Sequence, residues 1–260
     1  MLKNTFLHLS GITAEMEHQL WNRGIVDWDS LRNNLTVLKE IGDRRFFPDE
    51  IKWELDQSEL ALNQQSAHYF WSRIPYYSAW RIYTVMREKF YGLDIETTGL
   101  SYPHKVTCIC LFDGMEIFQF TRTRNLDEFI DFWEDKDDAI LLTYNGTKFD
   151  LPFLNQSLHW KNPYPHLDLM HVLHKMGIKG GLKGSEVKLG ISRDENLKGI
   201  DGFQAVQLWN QYVETDISDY LDLLVAYNQE DTINLHKILQ IISEKKREEI
   251  QSQIGFSFPL

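Results

Sequence analysis

From residue 86 onward the chain alternates apolar runs of strand length with stretches of helical period, and this alternation restricts the fold more than any other feature. The run FYGLDIE at 90–96 reads as a first strand, followed by HKVTCICLF and MEIFQFTR, with Asp113-Gly114 as the hairpin turn between them. Asn125 is placed to cap a helix running from Leu126 through Trp133. A fourth strand, AILLTYN, covers 139–145. A helix is expected to open near Asp150, because Pro152 suits a first-turn position. The run HLDLMHVLHKM reads as a short strand entering a helix, and a long helix from about Asp216 to about Lys245 closes the pattern. The expected organisation is an α/β domain over 86–250, preceded by a mainly helical region over 1–85.

With 27 basic and 38 acidic side chains, the formal net charge is −11. That balance does not suit a protein that coats nucleic acid by bulk charge. It is compatible with an enzyme whose metal-binding carboxylates supply part of the excess, since bound cations reverse the local field. No apolar run is long enough to span a bilayer, and the N-terminal MLKNTFLHLSGITAEMEH is broken by polar residues before a signal-peptide core forms. A soluble, cytoplasmic protein without membrane partners is expected. Cys108 and Cys110 are two apart on a strand, so both face one apolar layer as reduced thiols, too close in sequence for good disulfide geometry.

Three short stretches carry carboxylates in settings that suit chemistry. In LDIETTGL, Gly92, Asp94 and Glu96 share one strand face, while Tyr91, Leu93 and Ile95 share the other. Two acids then project together near the C-terminal end of a strand, with a glycine leaving room beside them, as hard divalent cations require. In LLTYNGTKFDLPFL a strand ends, Asn145-Gly146 turns the chain, and Asp150 stands where a helix opens. Asp150 is there either a helix N-cap or a ligand. In YNQEDTINL, Tyr227 and Asp231 are four apart and lie on one face of the long helix.

Taken in order, Asp94-x-Glu96, then Asp150 in NGTKFDLPFL, then Tyr227-x-x-x-Asp231 resemble the three exonuclease motifs of the DEDD superfamily, tyrosine subtype. The NG-x-x-FD-x-P-x-L wording is similar to the proofreading domain of B-family DNA polymerases. The closer resemblance is to the YprB-like group of ribonuclease-H-like exonuclease domains, where LKGSEVKLGISR and AYNQEDTINL also match; it extends over roughly 88–245. It implies a ribonuclease-H-like mixed five-stranded sheet flanked by helices, with three antiparallel strands leading. It implies a metal-dependent 3′–5′ exonuclease that hydrolyses single-stranded DNA or RNA with two divalent ions, Mg²⁺ or Mn²⁺. By the same resemblance Asp94 bridges both ions, Glu96 and Asp231 complete one site, Asp150 holds the other, and Tyr227 contacts the attacking water. Thr97, Thr98 and Leu100 would touch the terminal nucleotide, with Asn145 and Phe149 on the opposite wall. A non-catalytic nucleic-acid-binding module of the same fold and a structure-specific endonuclease are the alternatives.

Other features read more plainly. The basic residues Lys175, Lys179, Lys183, Lys188, Arg193 and Lys198 make a locally positive stretch, either phosphate contacts or a solvated helix face with a glycine-rich loop. Lys245-Lys246-Arg247 suits the end of the last helix. His171 and His174 lack a third histidine or a cysteine at zinc spacing, and Asp168 is expected to play a supporting structural role.

Overall fold

The computed structural model describes residues 1–42, 47–101 and 103–255. The chain divides into two compact units, one of Met1–Arg87 with the residues from Gln240 onward, the other of Glu88–Leu239.

The first unit is helical, with α1 (Ala14–Asn22), α2 (Trp28–Arg32), α3 (Val37–Ile41), α4 (Pro48–Asn63), α5 (Ala67–Trp71) and α6 (Trp80–Tyr83). Thr13 caps α1 through its side chain, and Asp27 with Ser30 forms a capping box on α2. Its polar centre is the buried Glu17, whose carboxylate accepts from Thr5 Oγ1 at 2.6 Å, the Phe6 amide at 2.7 Å and Arg81 Nη1 at 2.9 Å. A carboxylate taken out of water must have its lone pairs filled, and here distant segments fill them, which ties the N-terminus and α6 to α1. Tyr76 and Tyr77 are exposed, whereas Trp80 and Arg81 are buried.

The second unit is built on five strands: β1 (Phe90–Thr97), β2 (Val106–Phe112), β3 (Ile117–Thr121), β4 (Ile140–Thr143) and β5 (His166–Asp168). Their order is β3-β2-β1-β4-β5. The pairs β1/β2 and β2/β3 are antiparallel, and β1/β4 and β4/β5 are parallel. This is the expected mixed sheet with three antiparallel strands leading. Its helices are α7 (Glu128–Asp131), α8 (Asp150–Leu158), α9 (Leu169–Lys175), α10 (Gly181–Leu189), α11 (Gly202–Thr215) and the part of α12 (Ser218–Ile254) that precedes Gln240.

The period-two alternation of β1 and β2 sorts their side chains. Leu93, Ile95, Ile109 and Leu111 enter a core with Phe129, Trp133, Leu141, Phe153, Leu154 and Trp160. Burial of each such side chain contributes about 1.5–3 kcal/mol. Cys108 packs instead with Trp209 of α11 and with Leu221, Leu224 and Tyr227 of α12. Both cysteines are free and buried, and burial pushes each thiol up to about 12, so they remain inert core residues.

Four local expectations change. The hairpin turn covers 113–116, because Phe112 pairs with Ile117; Asp113 Oδ1 accepts the Met115 and Glu116 amides, and Gly114 takes φ 94. Asn125 does not cap a helix. Its side chain accepts the Thr121 amide and donates to the Gln119 carbonyl, each at 3.0 Å, and so closes the end of β3. The helix that follows is only α7, and its N-cap position, Asp127, supplies no side-chain bond. Finally, α12 runs beyond Lys245 to Ile254, because no glycine interrupts it before Gly255. Lys245, Lys246 and Arg247 therefore lie inside the helix, where Lys246 pairs with Glu249 at 3.0 Å rather than meeting a helix end.

Candidate active site

Gly92 leaves room on the acidic face of β1, and helix α12 takes that room. A Cβ at position 92 would lie 3.1 Å from the Thr232 carbonyl and 3.3 Å from the His236 ring. The close approach brings Tyr227 and Asp231, on successive turns of α12, up to Asp94 and Glu96. One carboxylate oxygen from each of Asp94, Glu96 and Asp231 lies within 4.8 Å of the others, the arrangement that could hold a metal ion among the described residues. Asp94 is half-buried, while Glu96 and Asp231 are buried. Tyr227 is also buried, one helical turn before Asp231 on the same face of α12.

Asp150 is buried at the first residue of α8 and stands outside that group of three. It is not the N-cap: Phe149 occupies that position and offers no side-chain bond. The loop that delivers Asp150 is organised by Asp168, which is 1% exposed. Asp168 accepts the amides of Asn145 at 2.8 Å, Thr147 at 3.2 Å and Met170 at 3.1 Å. Asn145 adopts φ 63, a left-handed turn that asparagine tolerates. Gly146 has no substitute there, because a Cβ would fall 2.2 Å from Thr143 Oγ1. Asp168 thus has the supporting role expected of it; His171 Nε2 lies 3.9 Å from its Oδ2.

Electrostatics reflect four buried or half-buried acids in one place. Burial first, then the charges of Asp231, Asp150 and Glu96, raise Asp94 well above the usual carboxylate range, opposed by the Asn228 amide. Glu96 is raised well above that range by burial and by Asp231 and Asp150, opposed by Lys183. Burial raises Asp150 to about 7, against the backbone amides of Asp150 and Ile95. Burial raises Asp231 to about 6, against Arg193. Tyr227 is pushed above its ordinary value by burial and by the charges of Asp231, Glu96 and Asp94, so its proton stays on. A set of oxygen donors with excess buried negative charge fits hard divalent cations, which neutralise it on binding.

Residues that sequence reasoning did not assign complete the site. Asn228, fully buried, donates from Nδ2 to the Asp94 carbonyl at 3.0 Å and to Asp94 Oδ2 at 2.8 Å. Arg193 belongs to the basic stretch and ends the LKGSEVKLGISR run that carries part of the resemblance, but neither assigned it a role. Its guanidinium is instead turned inward, bidentate on Glu186 at 2.6 and 2.7 Å, with Nη2 2.5 Å from Asp231 Oδ1. Lys183 Nζ stands 4.8 Å from the Tyr227 ring centre. Asn228 lies in AYNQEDTINL and Arg193 in LKGSEVKLGISR, the stretches of the resemblance, and that was the available signal for both; their contacts join separate elements and could not be read from it.

Around the rim, Thr97 Oγ1 donates to the Gly99 carbonyl at 2.7 Å, and Thr98 Oγ1 accepts the Lys105 amide at 3.0 Å. Leu100 is 75% exposed. Phe149 packs on Phe153 with ring centres 4.9 Å apart. Asn145 and Phe149 both belong to the loop leading to Asp150.

The fold and the acidic site define a ribonuclease-H-like α/β domain. Residues 92–243 match the RNase H superfamily, and the chain belongs to it. No curated protein matches the chain. Among solved structures, it is similar to the family B DNA polymerase from the hyperthermophilic archaeon Pyrobaculum calidifontis, at 17% identity and a TM-score of 0.48 over 64% of this chain. The match covers 25% of that polymerase chain. No described helix is long and apolar enough to cross a membrane.

Proposed function

We propose that this protein is a metal-dependent 3′–5′ exonuclease of the DEDD type, tyrosine subtype, acting on single-stranded DNA or RNA. The observation that carries the reading is the convergence of Asp94, Glu96 and Asp231 within 4.8 Å, with the buried Tyr227 one helical turn from Asp231. Membership of the RNase H superfamily supports it. Asp94, Glu96 and Asp231 would hold one Mg²⁺ or Mn²⁺, and Asp94 with Asp150 a second. Two such ions supply, when bound, an activated water and a sink for the charge of the leaving oxygen.

The side chains have separate tasks. Asn228 fixes the Asp94 carboxylate, so its oxygens are aimed before any ligand arrives. Tyr227 keeps its proton and is therefore not a base; its hydroxyl would orient the attacking water. Thr97, Thr98 and Leu100 follow the acids of β1 along the chain and would contact the terminal nucleotide, and Asn145 and Phe149 would line the opposite wall. Leu100, exposed at the end of the strand, offers an apolar surface to a base.

The test is a time course on 3′- and 5′-labelled single-stranded DNA and RNA oligonucleotides in Mn²⁺, Mg²⁺ and EDTA, beside an Asp94→Ala control. A ladder shortening from the 3′ end with metal, absent in EDTA and in the control, is the expected result. Internal cuts would move the reading to an endonuclease. Intact substrate that still binds would leave a non-catalytic nucleic-acid-binding module.

A further inference from the structure

A buried cation already sits among the acids. Arg193 and Glu186 expose 8% and 2% of their side chains, and Asp231 9%. Glu186 is itself fixed, since its Oε1 accepts Asn234 Nδ2 at 2.9 Å from the next turn of α12. The guanidinium reaches one more acid on α12, with Nη1 3.8 Å from Glu230 Oε2, while Glu230 Oε1 accepts the Asp194 amide at 2.7 Å. Its centre also lies 5.8 Å from the Tyr227 ring. The contact with Asp231 is a close ion pair made by the same Nη2 that donates to Glu186 Oε1, and Arg193 Nη1 has no hydrogen-bond partner among the described residues. Glu186 therefore holds the guanidinium through two nitrogens, whereas Asp231 meets it at the shared Nη2.

We infer that Arg193 is a resident counter-cation of the carboxylate site: it neutralises Asp231 while no metal is bound, and it is held by Glu186 so that it can give up Asp231 to an arriving divalent ion without leaving the core. The inference rests on the metal-site reading above. Its physical basis is direct. Removing several carboxylates from water costs stability unless positive charge accompanies them, and the bidentate guanidinium–carboxylate pair is the stronger of the two contacts. The same positive charge opposes a second cation at the same acid, so it lowers metal affinity while protecting the metal-free fold. Arg193 is in this sense a positioning residue, acting on the reaction through Asp231.

Thermal unfolding of the full chain, with and without Mn²⁺, together with calorimetric titration of Mn²⁺, tests this in the wild type, in Arg193→Gln and in the double variant Arg193→Gln/Glu186→Gln. The double variant replaces the ion pair by two amides and leaves no orphaned Glu186 charge, so it remains informative where the single variant fails to fold. The metal-free melting temperature is expected to fall in the variants. The Mn²⁺-induced rise is expected to exceed that of the wild type, with Mn²⁺ bound roughly threefold to tenfold more tightly. A purely structural arginine would lower both melting temperatures equally and leave Mn²⁺ affinity unchanged; that result would overturn the inference and leave the metal site standing. A wild type that takes up no Mn²⁺ would overturn the metal site itself, and the inference with it.

Discussion

Asn228 and Asp94, 134 residues apart, are joined twice: the asparagine Nδ2 donates to the backbone carbonyl of Asp94 at 3.0 Å and to its carboxylate at 2.8 Å. The same side chain accepts Gln119 Nε2 at 3.2 Å, so one amide ties α12 to β1 and β3. Asn228→Ala is expected to cost about 1–3 kcal/mol, since the partners are left buried and unpaired. Asn228→Asp should cost more at neutral pH, because it sets a second carboxylate against Asp94. Denaturant unfolding of the two variants checks the order, and equal stability of the wild type and Asn228→Ala would refute the tie.

The acids make the metal-free fold sensitive to pH. Folded Asp231 at about 6 and folded Asp150 at about 7 both stand above their ordinary 3.8, so between those values the folded chain binds more protons than the unfolded one. Stability contributed by the retained protons is present at low pH and is lost as pH rises through that window. In melts from about pH 4 to pH 7 with EDTA, this contribution declines. Saturating Mn²⁺ should oppose the loss increasingly toward pH 7, so the gap between the two curves widens. Parallel curves would show that the acids do not bind the ion.

Tyr227→Phe removes the hydroxyl and keeps the ring that packs with Cys108, Trp209 and Leu224. Turnover is expected to drop roughly 10²-fold, with Mn²⁺ affinity near that of the wild type. Single-turnover hydrolysis beside calorimetric titration separates the two effects. Unchanged turnover would remove Tyr227 from the reaction.

Gly146→Ala places a methyl carbon 2.2 Å from Thr143 Oγ1, at the end of a fully buried strand, so the loop or the strand must shift. A loss of about 1–3 kcal/mol is expected from such overpacking. Because the loop carries Asp150, activity should fall further than the lost stability alone explains. Unfolding and hydrolysis assays on the same preparation check both.

Asp168→Asn leaves the shape of a side chain that accepts three backbone amides but removes its charge. A loss of about 1–3 kcal/mol is expected, from weakened bonds to buried donors. Amide hydrogen exchange should show faster exchange at Asn145 and Thr147 than at strand β1. Uniform exchange across the unit would argue against a local role.

Much of the site was legible because it is written at short range. Strand alternation puts Asp94 and Glu96 on one face and Leu93 and Ile95 on the other, and helical spacing puts Tyr227 above Asp231. The same rule placed Cys108 and Cys110 together in the core. The order and spacing of the acids carried the resemblance whose superfamily and mixed sheet are those found. Local spacing along the chain thus sets which side chains share a face and which elements carry them. How those faces meet depends on packing between elements. Gly92 admits α12 against β1, so acids far apart in sequence share one small volume. Asn125 closes β3 rather than capping a helix, because a side-chain amide bonds whichever backbone groups the fold leaves open nearby. Arg193 turns inward, away from the solvated surface suggested by its basic neighbours, because Glu186 and Asp231 converge on it and buried charge must be paired. Periodicity is a property of one element, whereas charge pairing and close approach belong to pairs of elements, and those exist only once the chain has folded.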